Sequence, residues 1–136
     1  MTYPFEHLRV WQSAVEMIKS VYVLCERMPR REQYKGLADQ LRRAAVSVAL
    51  NIAEGKVSGS DAEFRRFLRI GLRSQNEVVA GIKIAIALGY FAEQDARETF
   101  QKCGETGAGI NALINTLTKS LQAARQPRRQ PIANRQ

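Results

Sequence analysis

Apolar residues recur every three or four positions along most of the chain, which is the period of an amphipathic helix. The pattern is clearest between Gln40 and Gly55. One apolar line in this stretch, with spacings of 4, 3 and 4, consists of Leu41, Ala45, Val48 and Ile52. A second line beside it is small and polar and consists of Gln40, Ala44, Ser47, Asn51 and Glu54. The stretch is therefore predicted to be a helix with two surfaces to cover, and Gly55 is predicted to end it.

The segment before this helix carries two apolar lines. Over residues 8–28, one line passes through Trp11 and Ile18, and the other passes through Met17 and Leu24. Both alternate spacings of 3 and 4, which is typical of helices in a left-handed bundle. A helix with two apolar lines is predicted to contact two other helices, or one helix and a second subunit.

Two more helices are predicted in the second half of the chain. The sequence Ser60-Asp61-Ala62-Glu63 matches a capping box, with Ser60 as the N-cap and Glu63 at the third helical position. A helical apolar line follows over residues 64–89, and another runs over residues 92–124. No alternating strand pattern competes with these helices.

Four long amphipathic segments joined by short turns predict an all-α fold. The expected architecture is an antiparallel up-down-up-down four-helix bundle over residues 1–125. Residues 126–136 contain two prolines, three arginines and no acidic residue, and they are predicted to form a disordered basic tail.

The charge of the chain favours an anionic partner. Its 136 residues include 21 Lys and Arg against 13 Asp and Glu, which gives a net charge of +8. Nucleic acid is the commonest partner of so basic a domain. No apolar run is long enough to span a bilayer, and the start of the chain lacks a signal-peptide pattern, so we expect a cytoplasmic protein that does not bind membranes. Cys25 and Cys103 fall on apolar lines, which favours core thiols over a disulfide.

The sequence offers little for catalysis. His7 is the only histidine and lies in the short segment before the first helix, so a His/Cys metal site and histidine-assisted nucleophilic catalysis are not expected. The glycines at 55 and 59 lack the Gly-Lys-Ser/Thr ending of a phosphate-binding loop. We therefore predict a protein that is not an enzyme, with no catalytic residue, no metal and no cofactor.

Positive charge is the chemistry that remains. Arg66, Arg69 and Arg73 are spaced 3 and 4 apart and share one face of the third predicted helix. Arginine suits phosphate through paired hydrogen bonds, and no aromatic residue shares the face of these three arginines, which favours backbone recognition over base stacking. The alternative is a solvated face partly neutralised by neighbouring carboxylates. The predicted phosphate-binding residues are Arg42, Arg43, Lys56, Arg65, Arg66, Arg69 and Arg73.

The polar line of the second predicted helix has two interpretations. It can be a hydrogen-bonded seam between helices of one chain, or it can contact another subunit. A glycine in the apolar line of the third helix suggests that a neighbouring backbone approaches closely there. The predicted helix or subunit interface consists of Gln40, Ser47, Asn51, Glu54 and Gly71.

A set of motif residues gives the chain a family resemblance. These residues are Phe5, Leu8, Val10-Trp11-Gln12, Ala14, Tyr34, Gln40-Leu41-Arg42-Arg43-Ala44, Ser47 and Asn51-Ile52-Ala53-Glu54-Gly55. Over roughly residues 5–120, the chain resembles the bacterial four-helix proteins encoded in intervening sequences of 23S ribosomal RNA genes. The same superfamily includes the accessory variability determinants of diversity-generating retroelements.

The resemblance implies a four-helix bundle assembled into a pentameric, barrel-like ring with a basic surface. In the retroelement members, that surface binds nucleic acid and a reverse transcriptase. One departure from the expected pattern is Arg73-Ser74, where the family has a Gly-Ser pair. The resulting hypothesis is a nucleic-acid-binding accessory protein that forms a homo-oligomer. The alternative is an oligomeric protein-interaction scaffold that binds no nucleic acid.

Overall fold

The computed structural model describes residues 1–126, which contain four long helices and no strand. The long helices are α1 (Arg9–Cys25), α3 (Leu37–Val57), α4 (Asp61–Ala87) and α5 (Arg97–Arg125). Three single turns complete the described chain: a 3₁₀ turn at Pro4–His7, the one-turn helix α2 (Arg30–Gln33) and a 3₁₀ turn at Glu93–Ala96. The prediction of an all-α fold is confirmed for this part of the chain, and the predicted tail lies outside it apart from Gln126.

The long helices pack as a bundle around one apolar core. Helix α3 contacts α1 and α4, and α5 contacts the same two helices. The largest side chains that are fully buried between them are Met17, Ile52, Leu68, Ile82 and Ile110. No helix within residues 1–126 has both the length and the hydropathy that crossing a membrane requires.

Helices α3 and α4 approach each other closely at two glycines. A Cβ atom added to Gly81 would lie 2.5 Å from Leu41 Cδ2, and one added to Gly55 would lie 2.8 Å from Phe64 Cδ1. At Gly71, where the sequence suggested close approach, an added Cβ would lie 3.6 Å from Asn51 Cβ, an ordinary contact. The close packing of these helices therefore depends on Gly55 and Gly81 more than on Gly71.

The end of α3 differs from the prediction. The helix continues through Gly55 to Val57, and Ser58 follows as its C-cap. Gly55 is buried because it faces Phe64 and Phe67 of α4, so it acts as a packing residue and does not end the helix. The Ser58 hydroxyl donates to the Gly55 carbonyl at 2.7 Å, and the chain turns at Gly59, whose φ is +90°.

The two later helix starts are partly as predicted. Ser60 is the N-cap of α4, and its hydroxyl accepts a hydrogen bond from the Glu63 N–H at 3.2 Å. The Glu63 carboxylate bonds to Arg66, so the reciprocal half of the capping box is not the contact that it makes. Helix α5 begins at Arg97, directly after the 3₁₀ turn, and within that turn Asp95 accepts a hydrogen bond from the Ala92 N–H at 3.0 Å.

Both cysteines are free and buried, as the sequence predicted. Burial raises the pKa of the Cys25 thiol to about 11, against a smaller lowering by Arg42. Burial likewise raises the pKa of the Cys103 thiol to about 11, partly opposed by a hydrogen bond to Gln75. Gln75 is itself buried and donates to the Cys103 carbonyl at 2.6 Å, which ties α4 to α5 across the core.

Candidate nucleic-acid interface

Helix α4 carries three arginines on the face opposite the core. Its inner face buries Leu68, Gln75 and Val78. The outer face presents the α4 stripe, which consists of Arg66, Arg69 and Arg73. All three side chains are exposed, and seven residues of helix separate the first from the last, so the stripe is about 10 Å long.

Two members of the α4 stripe point into solvent without an ion pair among the described residues. Arg69 and Arg73 have neither a salt bridge nor a side-chain hydrogen bond within residues 1–126. No carboxylate within residues 1–126 lies at salt-bridge distance from either guanidinium group.

Arg66 is held by a carboxylate on its own helix. Its Nε and Nη2 donate to the two carboxylate oxygens of Glu63 at 3.2 and 3.1 Å. These hydrogen bonds lower the pKa of Glu63, with a smaller Coulombic contribution from the same guanidinium. Both side chains are well exposed, so the pair is weak and a phosphate can compete with Glu63 for Arg66.

Arg65 is directed towards α5. It is half-buried, and its Nη1 donates to the Thr118 hydroxyl at 3.3 Å. Two residues later on α5, the Ser120 hydroxyl donates to the Asp61 carboxylate at 3.2 Å. These two bonds fasten the start of α4 to the last turns of α5, so Arg65 flanks the α4 stripe without belonging to it.

Arg42 is engaged in the connection between α1 and α3. Its Nη1 donates to Gln33 Oε1 at 2.8 Å, and its Nη2 donates to the Gln33 carbonyl at 2.7 Å. The guanidinium carbon lies 6.0 Å from the centre of the Tyr22 ring on α1. Gln33 in turn donates to the carbonyls of Cys25 and Met28, so Arg42 supports the chain reversal after α1.

The two remaining predicted cations lie on α3. Arg43 is exposed and approaches Asp39, one turn earlier, at 3.6 Å. Lys56 is exposed in the last turn of α3, just before the loop to α4. The structure thus brings Arg66, Arg69 and Arg73 onto one exposed face, whereas Arg42, Arg43 and Arg65 have contacts of their own outside the stripe. Lys56 is exposed at the end of α3 and does not belong to the stripe.

The polar line of α3 divides into two parts. Ser47 forms a 2.9 Å hydrogen bond with the Ser74 hydroxyl of α4, and Asn51 Nδ2 donates to the Ser47 carbonyl at 2.8 Å. Gly71 lies beside Asn51 in the same helix contact. Gln40 and Glu54 are exposed to solvent and are not part of this contact between α3 and α4.

Ser74 was not among the predicted interface residues. It lies seven residues after Phe67 and seven before Gly81, both of which face α3. That spacing of seven is the signal that identifies the α3-facing line of α4. The predicted interface on this helix contained only Gly71, which lies on the apolar line over residues 64–89, so it did not include Ser74.

An exposed apolar patch lies between α1 and α3 and consists of Tyr22 and Leu50, which are 43% and 57% exposed. The two side chains line a shallow groove together with Arg42, Arg43, Val46 and Glu54. Val57, the last residue of α3, is 60% exposed and does not line this groove. The apolar spacing of the sequence did not predict that α3 would present Leu50 and Val57 to solvent.

The chain matches a known protein family. A family model described as 23S rRNA-intervening sequence protein matches residues 6–112, which is more than three quarters of the chain. No curated protein matches the chain. The matched range includes all of α1, α3 and α4 and about half of α5, and it therefore contains the whole α4 stripe.

Proposed function

The chain belongs to the 23S rRNA-intervening sequence protein family, and we propose that it is a non-enzymatic accessory protein that binds the phosphate backbone of nucleic acid. The observation that carries this proposal is the α4 stripe, in which Arg69 and Arg73 form no salt bridge with a carboxylate of residues 1–126. Guanidinium groups at the same face of one helix can hold neighbouring phosphates of a single strand or duplex.

The surroundings of the stripe favour backbone recognition over base recognition. The nearest aromatic residue, Phe67, is half-buried, and its ring lies 4.6 Å below the Arg66 guanidinium. A ring covered in this way does not offer a free face for a base to stack on. The proposed contacts are therefore to phosphates, and their strength should fall steeply as salt is added.

Charge reversal of the whole stripe tests the proposal. In the variant with Arg66→Glu, Arg69→Glu and Arg73→Glu, binding to a structured RNA hairpin at low salt should fall about 100-fold or more. The matched control reverses three exposed arginines on other elements, Arg9→Glu, Arg30→Glu and Arg97→Glu, and changes the net charge equally. Fluorescence anisotropy gives the affinities, and circular dichroism checks that helicity is retained.

The outcome of this comparison is decisive. Equal losses in the stripe variant and the control variant would show that only net charge matters and would remove the stripe as a site. Unchanged binding in the stripe variant would refute the proposed function. Repeating the titration with duplex DNA decides whether the partner is RNA, DNA or both.

We propose an antiparallel arrangement of neighbouring helices as the frame for this surface. The contacts between α3 and α4 support it. Gly55 of α3 faces Phe64 of α4, whereas Leu41, earlier in α3, faces Gly81, later in α4, so the two helices run in opposite directions. Ser20 bonds Thr99 while Val10 faces Gly109, which is the same relation between α1 and α5. Distances between spin labels at the ends of paired helices would test this arrangement.

We also propose that the chain forms a homo-oligomer, as the resemblance to ring-forming relatives implies. The apolar patch of Tyr22 and Leu50 supports this proposal because the two large side chains line one groove that is open to solvent in residues 1–126. Leu50→Glu should shift the protein towards monomer in light scattering, whereas a pentameric ring should give five times the monomer mass. An unchanged mass in the variant would place the contact elsewhere.

The same apolar patch favours a second candidate function, an oligomeric scaffold that docks another protein. In this alternative the positive charge serves only solubility. A protein partner that is retained at high salt, with no nucleic acid in the purified complex, would support the scaffold. A reverse transcriptase is the partner to test first, since the family resemblance extends to retroelement accessory proteins.

A further inference from the structure

One aromatic ring of the described chain lies largely in solvent. Tyr34 follows the one-turn helix α2 and is 79% exposed. Phe67, the aromatic residue beside the α4 stripe, is by contrast half-buried, with the Arg66 guanidinium above its ring. A single exposed aromatic residue is ordinary on a protein surface, so the exposure by itself assigns no role to Tyr34. The turn that carries the ring is what makes it unusual.

The residue before the ring is fixed by hydrogen bonds on all its polar groups but one. The Gln33 side chain donates to the Cys25 carbonyl at 2.8 Å and to the Met28 carbonyl at 3.1 Å. Arg42 of α3 donates to the Gln33 amide oxygen at 2.8 Å and to its backbone carbonyl at 2.7 Å. The side chain and the backbone of Gln33 are therefore both tied to the bundle, and Tyr34 starts from a fixed position.

The residues after the ring form a strained turn. Lys35 is the one non-glycine residue of the described chain with a positive φ, +56°, in the region that a residue with a Cβ atom rarely adopts. A Cβ atom added to Gly36 would lie 2.6 Å from Glu32 Cα, so this close passage over α2 requires glycine. The Glu32 carboxylate accepts the Leu37 N–H at 2.9 Å and closes the turn. Strain that surrounding contacts keep in place is typical of ligand-binding sites.

The charges around the ring favour an anionic ligand. Residues 30–35 carry three cationic side chains and one carboxylate, which belongs to Glu32 and already accepts a hydrogen bond from the chain itself. The Lys35 ammonium lies over one face of the Tyr34 ring, 5.3 Å from its centre. Because Tyr34 is so exposed, the opposite face is open to a flat ligand. A polyanion with flat rings, which is a nucleic acid, matches both the charge and the ring.

We propose that Tyr34 is a stacking platform for an unpaired base of a single-stranded nucleic acid. The inference rests on the proposed function, because it requires that the protein binds nucleic acid. Stacking needs a ring with an exposed face and a fixed position, and every base offers a face to such a ring. A base inside a duplex is stacked between its neighbours, so Tyr34 selects unpaired nucleotides. The contact is thus distinct from the phosphate contacts proposed for the α4 stripe.

The platform and the α4 stripe lie at different levels of the bundle. Ser47 of α3 bonds Ser74 of α4, the residue after Arg73, so Ser47 marks the level at which the stripe ends. From Ser47 back to its N-cap Gly36, α3 extends about 16 Å. A strand that contacts both places therefore spans at least about five nucleotides, at about 3.4 Å per stacked nucleotide.

The test compares variants of position 34 in the full-length protein. Tyr34→Ala removes the ring, whereas Tyr34→Phe keeps the ring and removes only the hydroxyl. The matched control is Tyr3→Ala, since Tyr3 is 55% exposed but stacks on Phe5, with ring centres 5.9 Å apart. The probes are fluorescein-labelled oligo(U) and oligo(dT) of about 12 nucleotides and a duplex of the same length, titrated by fluorescence anisotropy at several KCl concentrations.

We expect Tyr34→Ala to weaken binding of both single strands about tenfold and to leave duplex binding unchanged. The slope of log affinity against log salt should keep its wild-type value, because stacking neutralises no phosphate. Tyr34→Phe and Tyr3→Ala should bind as the wild-type protein does. In the wild-type protein, oligo(U) that carries iodouracil should cross-link to Tyr34 under ultraviolet light, and mass spectrometry identifies the modified peptide.

The outcomes separate this inference from the proposed function. If reversal of the α4 stripe abolishes binding while Tyr34→Ala keeps the wild-type affinity for single strands, the platform is overturned and the stripe remains. If the stripe reversal changes nothing while Tyr34→Ala weakens single-strand binding, the stripe is refuted and the platform stands. If the wild-type protein binds none of the probes, both fail.

Three further results would overturn the platform. One is an equal loss for single strands and duplex in Tyr34→Ala, because a stacking contact requires unpaired bases. Another is an equal loss in Tyr34→Phe, which would assign the contact to the hydroxyl and not to the ring. The third is an iodouracil cross-link that maps to other residues and not to Tyr34.

Discussion

Arg42 and Arg73 are the same residue type on adjacent helices, yet the structure uses them differently. The Arg42 guanidinium donates two hydrogen bonds to Gln33 and supports the chain reversal after α1. Arg73 lies on the outer face of α4 and has no side-chain partner in residues 1–126. The comparison teaches that a count of positive charges overestimates the charge available to a ligand, because some cations are already part of the fold.

The position of each arginine around its helix explains the difference. Arg42 lies on the flank of α3 that faces α1, where the Gln33 carbonyl and amide oxygen need donors. Arg73 projects from the side of α4 opposite the core and forms no side-chain hydrogen bond or salt bridge within residues 1–126. Arg65 is intermediate, since it lies on the α5 side of α4 and meets Thr118.

The largest expected effect is a loss of stability on removing Arg42, which is bound within the fold, in contrast to the exposed Arg73. Arg42→Ala removes two charged hydrogen bonds and leaves Gln33 acceptors unpaired, so the free energy of unfolding should fall by about 2 kcal/mol. Urea denaturation followed by circular dichroism measures this change. The neighbouring Arg43→Ala is the matched control and should cost less than about 0.5 kcal/mol, since its contact with Asp39 is exposed and long. If both variants lost the same free energy of unfolding, Arg42 would support the fold no more than Arg43 does.

A smaller effect is expected in binding at Arg73. Arg73→Gln should leave the free energy of unfolding within about 0.5 kcal/mol of wild type, because the side chain is exposed and forms no hydrogen bond or salt bridge within residues 1–126. The slope of log affinity against log salt should become shallower by about 0.7 to 0.9 if one phosphate contact is lost. Arg30→Gln, at an exposed arginine of α2, should leave that slope unchanged. A large loss of stability in Arg73→Gln would mean that Arg73, like Arg42, supports the fold.

The smallest effect concerns Arg66, which is exposed like Arg73 but has a side-chain partner like Arg42. Its hydrogen bonds lower the pKa of Glu63 below the ordinary value of 4.5, so the pair stabilises the fold above that pH and is lost as pH falls through the lowered pKa. In Arg66→Gln, an NMR titration should return the pKa of Glu63 towards 4.5. Arg69→Gln is the control and should leave that pKa where it is. No change in the first variant would show that Arg66 is as free as Arg69.

Much of the fold could be predicted from the period of the apolar residues. That period follows from the geometry of the helix itself, so it located α1, α3, α4 and α5 along the chain. The end of α3 could not be predicted in the same way. The sequence does not distinguish a glycine that ends a helix from one that packs inside it. At Gly55 the packing depends on Phe64 and Phe67 of the next helix, which lie against it.

The candidate site was predictable only where it depends on a single helix. The spacing of Arg66, Arg69 and Arg73 places them on one face, and the structure shows that face exposed. The engagement of Arg42 depends on Gln33, nine residues earlier in a turn whose geometry leaves no periodic signal. The sequence therefore indicated which side of α4 is basic but not which arginines of other elements are already bound.

The connection between α3 and α4 has a consequence for how the molecule folds. Only Ser58, Gly59 and Ser60 separate the two helices, so bringing them together closes a very short loop and costs little chain entropy. Contacts that are local in sequence form early, which makes this hairpin the expected nucleus of folding. The arginines on its outer surface would then be in position before α1 and α5 dock. Native-state hydrogen exchange that is slowest in α3 and α4 would agree with this order, and slowest exchange in α1 or α5 would contradict it.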